Sequence, residues 1–126
     1  MRVQLPLVLC TALFLGGCVT GNTYPGDRAR IYCDALFSCV DEDEIEFWTG
    51  YDDRSECTDE EVDGFEDRSD YQSYLAGDCP FNKDEADRCL EEVSEVRQDP
   101  DCDGNMGFLS FAFDIADEDC DEVYCN

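Results

Sequence analysis

The sequence predicts an all-α domain: a small disulfide-stapled helical bundle of four to five short helices, following a cleaved N-terminal segment and a short tether. Three observations predict it. Apolar residues recur at helical spacing between capping signals along most of the chain. Eight cysteines, an even number, are spread through the same region. The roughly 100 residues available form only a modest core, so cross-links at typically 2–4 kcal/mol each are the expected support. The expected division is residues 1–17 as signal peptide, 18–27 as modified N-terminus and flexible tether, and 28–126 as one domain.

The first segment begins with Arg2 and runs through apolar residues from Val3 to Leu15, broken by Gln4, Pro6 and Thr11. About thirteen residues are too few for the roughly 20 that a spanning helix requires. A charged start, a short apolar centre and small residues at the cut are the layout of a secretory signal. The segment ends in Leu15-Gly16-Gly17-Cys18, which resembles the bacterial lipobox. That resemblance implies a diacylglyceryl thioether on the Cys18 sulfur, cleavage before it, and often acylation of the new amine. One acyl chain holds a protein to a membrane marginally and two or more hold it stably. Aspartate after the anchor retains well-studied lipoproteins in the inner membrane, so Val19 points to the outer one. The expected address is the bacterial cell envelope, facing the periplasm or the exterior.

Val19 to Asp27 is small and polar, contains Pro25 and Gly26, and reads as a tether reaching at most about 30 Å. Asp27 is the first expected N-cap, and Ile31, Leu36, Phe37 and Val40 follow helical spacing with Cys33 and Cys39 on the same element. Asp41 to Glu44 mark a turn into a short second helix carrying Ile45, Phe47 and Trp48, ended by Gly50. Asp53-Arg54-Ser55-Glu56 has the capping-box form and predicts a third helix from about 54, presenting Cys57, Val62, Phe65, Tyr71, Tyr74 and Leu75. Gly64 weakens its middle, and Gly77 and Pro80 close it. Asn82-Lys83-Asp84-Glu85 starts a fourth helix whose apolar stripe is Ala86, Cys89, Leu90, Val93 and Val96, stopped by Asp99-Pro100. Phe108 to Ile115 alternates like a strand, yet Ala112, Ala116 and the helical context favour a core helix. Cys120 to Cys125 reads as a cross-linked tail.

Cys10 falls in the signal and Cys18 at the junction, which leaves Cys33, Cys39, Cys57, Cys79, Cys89, Cys102, Cys120 and Cys125. In an oxidising compartment these form a disulfide framework. The chain has no histidine and no C-x-x-C, which argues against zinc, haem attachment and thioredoxin-like redox chemistry. Six residues along a helix rise about 9 Å. Paired cysteines need Cα atoms within about 7 Å, so Cys33 and Cys39 bond elsewhere, as does Cys89 inside its helix. The connectivity stays open.

The lipobox-like junction, Tyr32-Cys33-Asp34-Ala35-Leu36, Ser55-Glu56-Cys57, Cys79-Pro80-Phe81-Asn82, Ala86-Asp87-Arg88-Cys89-Leu90 and Cys120-Asp121-Glu122-Val123-Tyr124 together resemble the uncharacterised cysteine-rich lipoproteins of myxobacteria and their relatives. The likeness spans nearly all of the mature chain. It implies secretion, helices and disulfides, and no activity.

Beyond Cys18 lie 33 acidic and seven basic residues, a formal charge of −26. Phosphate binding needs clustered Lys and Arg, so no nucleic-acid partner is expected. Acidity of this kind suits either solvation in a salty habitat or a surface for cations and basic partners, and the former is favoured. Asp99, Asp101, Asp103 and Asn105, with Gly104 and Met106, have the opening spacing of a calcium loop. The twelfth position is Ser110 rather than glutamate, so any calcium bound there is held weakly; no other cofactor is expected. No catalytic residue stands out, because a hydrolytic triad needs a base such as histidine and no carboxylate pair among so many is singled out. Trp48 and the tyrosines are expected to fill the core rather than form a binding face. The expected function is a non-catalytic envelope protein, held to the membrane through acyl chains on Cys18, with a structural or protein-binding role and an envelope protein as partner. A weak calcium-dependent binder and a carboxylate-based hydrolase are the alternatives.

Overall fold

The computed structural model describes residues 18–116 and 120–125. The expected signal peptide, residues 1–17, lies outside the described residues. The described chain is a disulfide-stapled helical bundle: α1 (Tyr24–Cys39), α2 (Glu42–Thr49), α3 (Arg54–Glu66), α4 (Ser69–Leu75), α5 (Lys83–Glu95), a 3₁₀ turn (Val96–Gln98) and α6 (Phe108–Ala116). Among the described residues, extended pairing is confined to two isolated bridges, Val40 with Met106 and Phe81 with Tyr124. None of the described helices is long and apolar enough to cross a membrane.

The central element is α1, which packs against both α3 and α5. It starts at Tyr24, three residues before the expected Asp27 cap. Pro25 suits a first helical turn, where its missing N–H would have had no partner. Ahead of it Thr20 and Thr23 exchange bonds: the Thr20 N–H donates to Thr23 Oγ1 (2.8 Å) and the Thr23 N–H to Thr20 Oγ1 (3.2 Å). The expected flexible tether over 18–27 is therefore corrected. Val19 packs against the core, Gly21 and Tyr24 are buried, and ordered structure reaches almost to Cys18.

Helix α2 follows the expected acidic turn and α3 forms where its capping box predicts. Asp41 accepts from the Asp43 N–H (2.9 Å), and Gly50 ends α2 at φ +75°, a conformation that favours glycine. Asp53 accepts from the Glu56 N–H (2.8 Å) while Glu56 accepts from the Asp52 N–H (2.7 Å), a reciprocal box displaced by one residue.

The expected long third helix is two helices. Arg68 is extended at the break, its guanidinium forks onto Asp70, and it lies 4.8 Å over the Phe65 ring. On one continuous helix Phe65 and Tyr71 would point about 120° apart. The break turns both into one aromatic cluster, 6.2 Å from each other.

The stripe residues Ala86, Cys89, Leu90 and Val93 of α5 are buried, as is Val96 in the 3₁₀ turn that continues it, and Asn82 caps α5 by accepting from the Glu85 N–H. In α6, Phe111 and Ile115 face the core. The disulfides are Cys33–Cys57, Cys39–Cys102, Cys79–Cys125 and Cys89–Cys120. Cys33, Cys39 and Cys89 each bolt a helix to a distant segment, as their places on helices require. Together the bridges fix α1 to α3, α1 to the 99–106 loop, and the C-terminal tail to both ends of the 79–89 region.

Tyr124 centres the core. Its ring meets those of Tyr24, Phe65, Tyr71, Tyr74 and Phe81, with centroids 5.2–6.0 Å away. Its hydroxyl donates to the Gly21 carbonyl at 2.6 Å, and the Tyr24 hydroxyl lies 3.1 Å from Cys89 Sγ. A buried tyrosine needs such partners.

Candidate functional site

Cys18 stands half-buried at the start of the folded body. Its sulfur is disulfide-bonded. One sulfur cannot carry a disulfide and a thioether together, so the two states of Cys18 are chemically exclusive.

The 99–106 loop docks onto the end of α1. Cys102 bonds Cys39, the Met106 N–H donates to the Cys39 carbonyl (3.0 Å), and the Asp41 N–H donates to the Met106 carbonyl (3.1 Å). Within it Asp99 accepts from the Asp101 N–H and Asp103 from the Asn105 N–H, both at 2.9 Å. These carboxylates shape their own backbone turns. Among the described residues, no group of three or more His, Cys, Asp or Glu is placed to hold a metal ion. Asp99, Asp101, Asp103 and Asn105 are all exposed.

The tyrosines and Trp48 separate. Tyr24, Tyr71 and Tyr124 are buried, whereas Trp48 is 47% exposed and Phe47 79%, which corrects the expectation that Trp48 fills the core. Residues 47 and 48 point about 100° apart on a helix, and Ile45 already supplies the buried face of α2. That adjacency was the available signal. Trp48 lies nearly flat on Phe108 of α6 (5.8 Å, 14°), and Phe47 meets Trp48 edge-on (5.2 Å, 89°). The Glu44 carboxylate accepts from the Phe108 N–H (2.7 Å), fixing the same seam. Leu109 is 52% exposed beside Phe108, and Phe113 stands out one turn further along α6.

Helix α2 has a second flank. Glu42 and Glu46, one turn apart, border a shallow open cleft of about 370 Å³ shared with Asp43, Asp52, Asp53 and Arg54. Phe37 and Tyr51 supply its ring surfaces. The Arg54 guanidinium reaches away towards α1, donating to Ser38 Oγ (3.2 Å) and lying 3.6 Å from Asp34. Burial, together with a 2.9 Å bond from its hydroxyl to Glu61, raises the Tyr51 pKa well above its usual value. The tyrosine is therefore a neutral wall at physiological pH.

The remaining cations are engaged within the chain. Arg30, Arg68, Lys83, Arg88 and Arg97 pair with carboxylates, and Arg28 lies 5.8 Å over the Tyr32 ring. Among the described residues no charged side chain is buried. Comparison of the chain with protein-family models, with curated proteins and with solved structures finds no match.

Proposed function

We propose that the protein is a lipid-anchored, non-catalytic component of a bacterial cell envelope whose folded domain binds another protein. The observation that carries this reading is the junction itself. Leu15-Gly16-Gly17-Cys18 is followed within a few residues by a body held by four disulfides. Disulfides persist in oxidising compartments, which agrees with export. Acylation of Cys18 then supplies the membrane hold, at about 0.8 kcal/mol per buried methylene. Exposed Phe47 and Trp48 supply apolar surface of the kind enriched at protein interfaces.

The test is expression in a bacterium, separation of membrane and soluble fractions, and intact mass before and after reduction. The expected product lacks residues 1–17, carries a diacylglyceryl group on Cys18, sediments with membranes, and gains two hydrogens per disulfide on reduction of four. Cys18→Ser should release it to the soluble fraction. A soluble wild-type product with unacylated Cys18 refutes the anchor.

A further inference from the structure

We propose that the ridge made by Phe47 and Trp48 of α2 with Phe108 and Leu109 of α6, together with the acidic cleft on the opposite flank of α2, docks a basic amphipathic segment of another protein. This rests on the protein-binding reading above and gives its partner a chemistry. The ridge rings hold one another, Phe47 edge-on to Trp48 and Trp48 flat on Phe108, so covering them costs little ordering. Large aromatic side chains presented this way carry much of the energy at interfaces.

Charge selects the occupant. Glu42, Asp43, Glu46, Asp52 and Asp53 line the cleft, and its one cation, Arg54, is turned to Ser38 and Asp34. Among the described residues Glu42, Asp43 and Glu46 form no ion pair, and every base after Cys18 is occupied elsewhere in the chain. A partner carrying positive charge would complement these carboxylates. A second copy brings −26 against −26, and an anionic bilayer repels the same surface. A segment with a Leu-like face bordered by Lys or Arg can seat that face on the ridge while the long border side chains extend towards the cleft. The lysines would reach the carboxylates, with the Phe37 and Tyr51 rings beside them for cation–π contact.

Trp48 is the single tryptophan, so its emission reports the ridge directly. The experiment uses the oxidised full chain carrying Cys18→Ser, titrated with a synthetic helical peptide of Leu and Lys in amphipathic pattern. Parallel titrations use the same pattern with Glu for Lys, an oligolysine of equal charge, and zwitterionic vesicles; sedimentation reports self-association. The expected result is a saturable blue shift with the Leu/Lys peptide and none with the Leu/Glu peptide. Binding should weaken about tenfold or more for oligolysine and for the Phe47→Ser/Leu109→Ser variant. Both substituted side chains are exposed, and circular dichroism checks that the variant stays folded.

The proposal is overturned by no shift with the Leu/Lys peptide, or by equal affinity for oligolysine or in the variant, which would mean bare polyelectrolyte attraction. Vesicle binding as tight as peptide binding, or a dimer abolished by the variant, assigns the ridge to another occupant and overturns it too. If the variant still captures an envelope protein as well as the parent does, this surface is refuted while the protein-binding reading survives. Membrane fractionation of the Cys18 form is independent of all these readings.

Discussion

Two aromatic assemblies in this small domain follow opposite rules. The hub around Tyr124 draws rings from α1, α3, α4, the segment before α5 and the C-terminal tail, so five stretches of chain meet in one place. Cys79–Cys125 and Cys89–Cys120 clamp its tail. The ridge uses only α2 and α6, and its Phe47 and Trp48 face water. Tyrosine dominates the hub because its hydroxyl can meet a backbone or sulfur acceptor inside, while its ring excludes water. Phe and Trp on the ridge find no such enclosure. The hub opposes the self-repulsion of a highly acidic chain, and the ridge contributes almost nothing to that task. Stability and recognition are thus divided between two sets of similar side chains.

Alkaline pH should separate them most sharply, because it acts on several hub groups at once. Burial pushes the Tyr24, Tyr71 and Tyr124 hydroxyls above their ordinary value of 10, and pushes Tyr32 on α1 up to about 12. The folded chain then holds protons that the unfolded chain has already released, so stability falls as pH rises. These contributions are intact below pH 10 and vanish as pH passes the folded values, for Tyr32 between 10 and about 12. The expected outcome is a steep fall in melting temperature above pH 10, with tyrosinate absorbance of the native protein lagging a denatured control. Matching titrations of the two would put the hub rings in water.

Truncating the hub centre comes next. Tyr124→Ala removes a ring shared by five others and should destabilise by about 3–5 kcal/mol, read from urea unfolding with disulfides intact. Gly21→Ala should act less strongly, at about 1–3 kcal/mol, because an added Cβ there overlaps the Tyr74 ring. A neutral Gly21→Ala would return residues 18–23 to the status of a loose leader.

What the sequence made legible was local. The caps at Asp53 and Asn82, the acidic turn that opens at Asp41 and the stop at Gly50 depend on neighbours within a few residues, and all four appear in place. The α5 stripe was legible because one helix face repeats every three or four residues. Composition reads residues 18–27 as a tether because Tyr24 finds one of its partners a hundred positions away, at Tyr124, and composition alone cannot carry that information. Pro25 was ambiguous locally: it marks loops and first helical turns alike. The α3–α4 break needed the same long-range fact, since Phe65 and Tyr71 converge only around the tail. The cleft drew acids from α2 and from the loop before α3, and with 33 carboxylates in the chain no spacing singles them out.

The smallest expected effect is the most telling for the ridge. Phe47 is 79% exposed and among the described residues its one ring contact is Trp48, met edge-on, so Phe47→Ser should change unfolding free energy by no more than about 0.5 kcal/mol. The side chain buries little on folding, and its removal opens no cavity, so neither transfer nor packing energy is lost in quantity. Helix α2 keeps its Asp41 cap, its Gly50 stop and the buried Ile45. A loss of 2 kcal/mol or more, roughly the scale for a core residue, would show that Phe47 is covered in the free protein. The ridge would then belong with the hub as part of the core. An unchanged urea midpoint together with weakened binding of a basic amphipathic peptide would instead identify Phe47 as a residue retained for contact, at a position where folding has no use for an apolar ring.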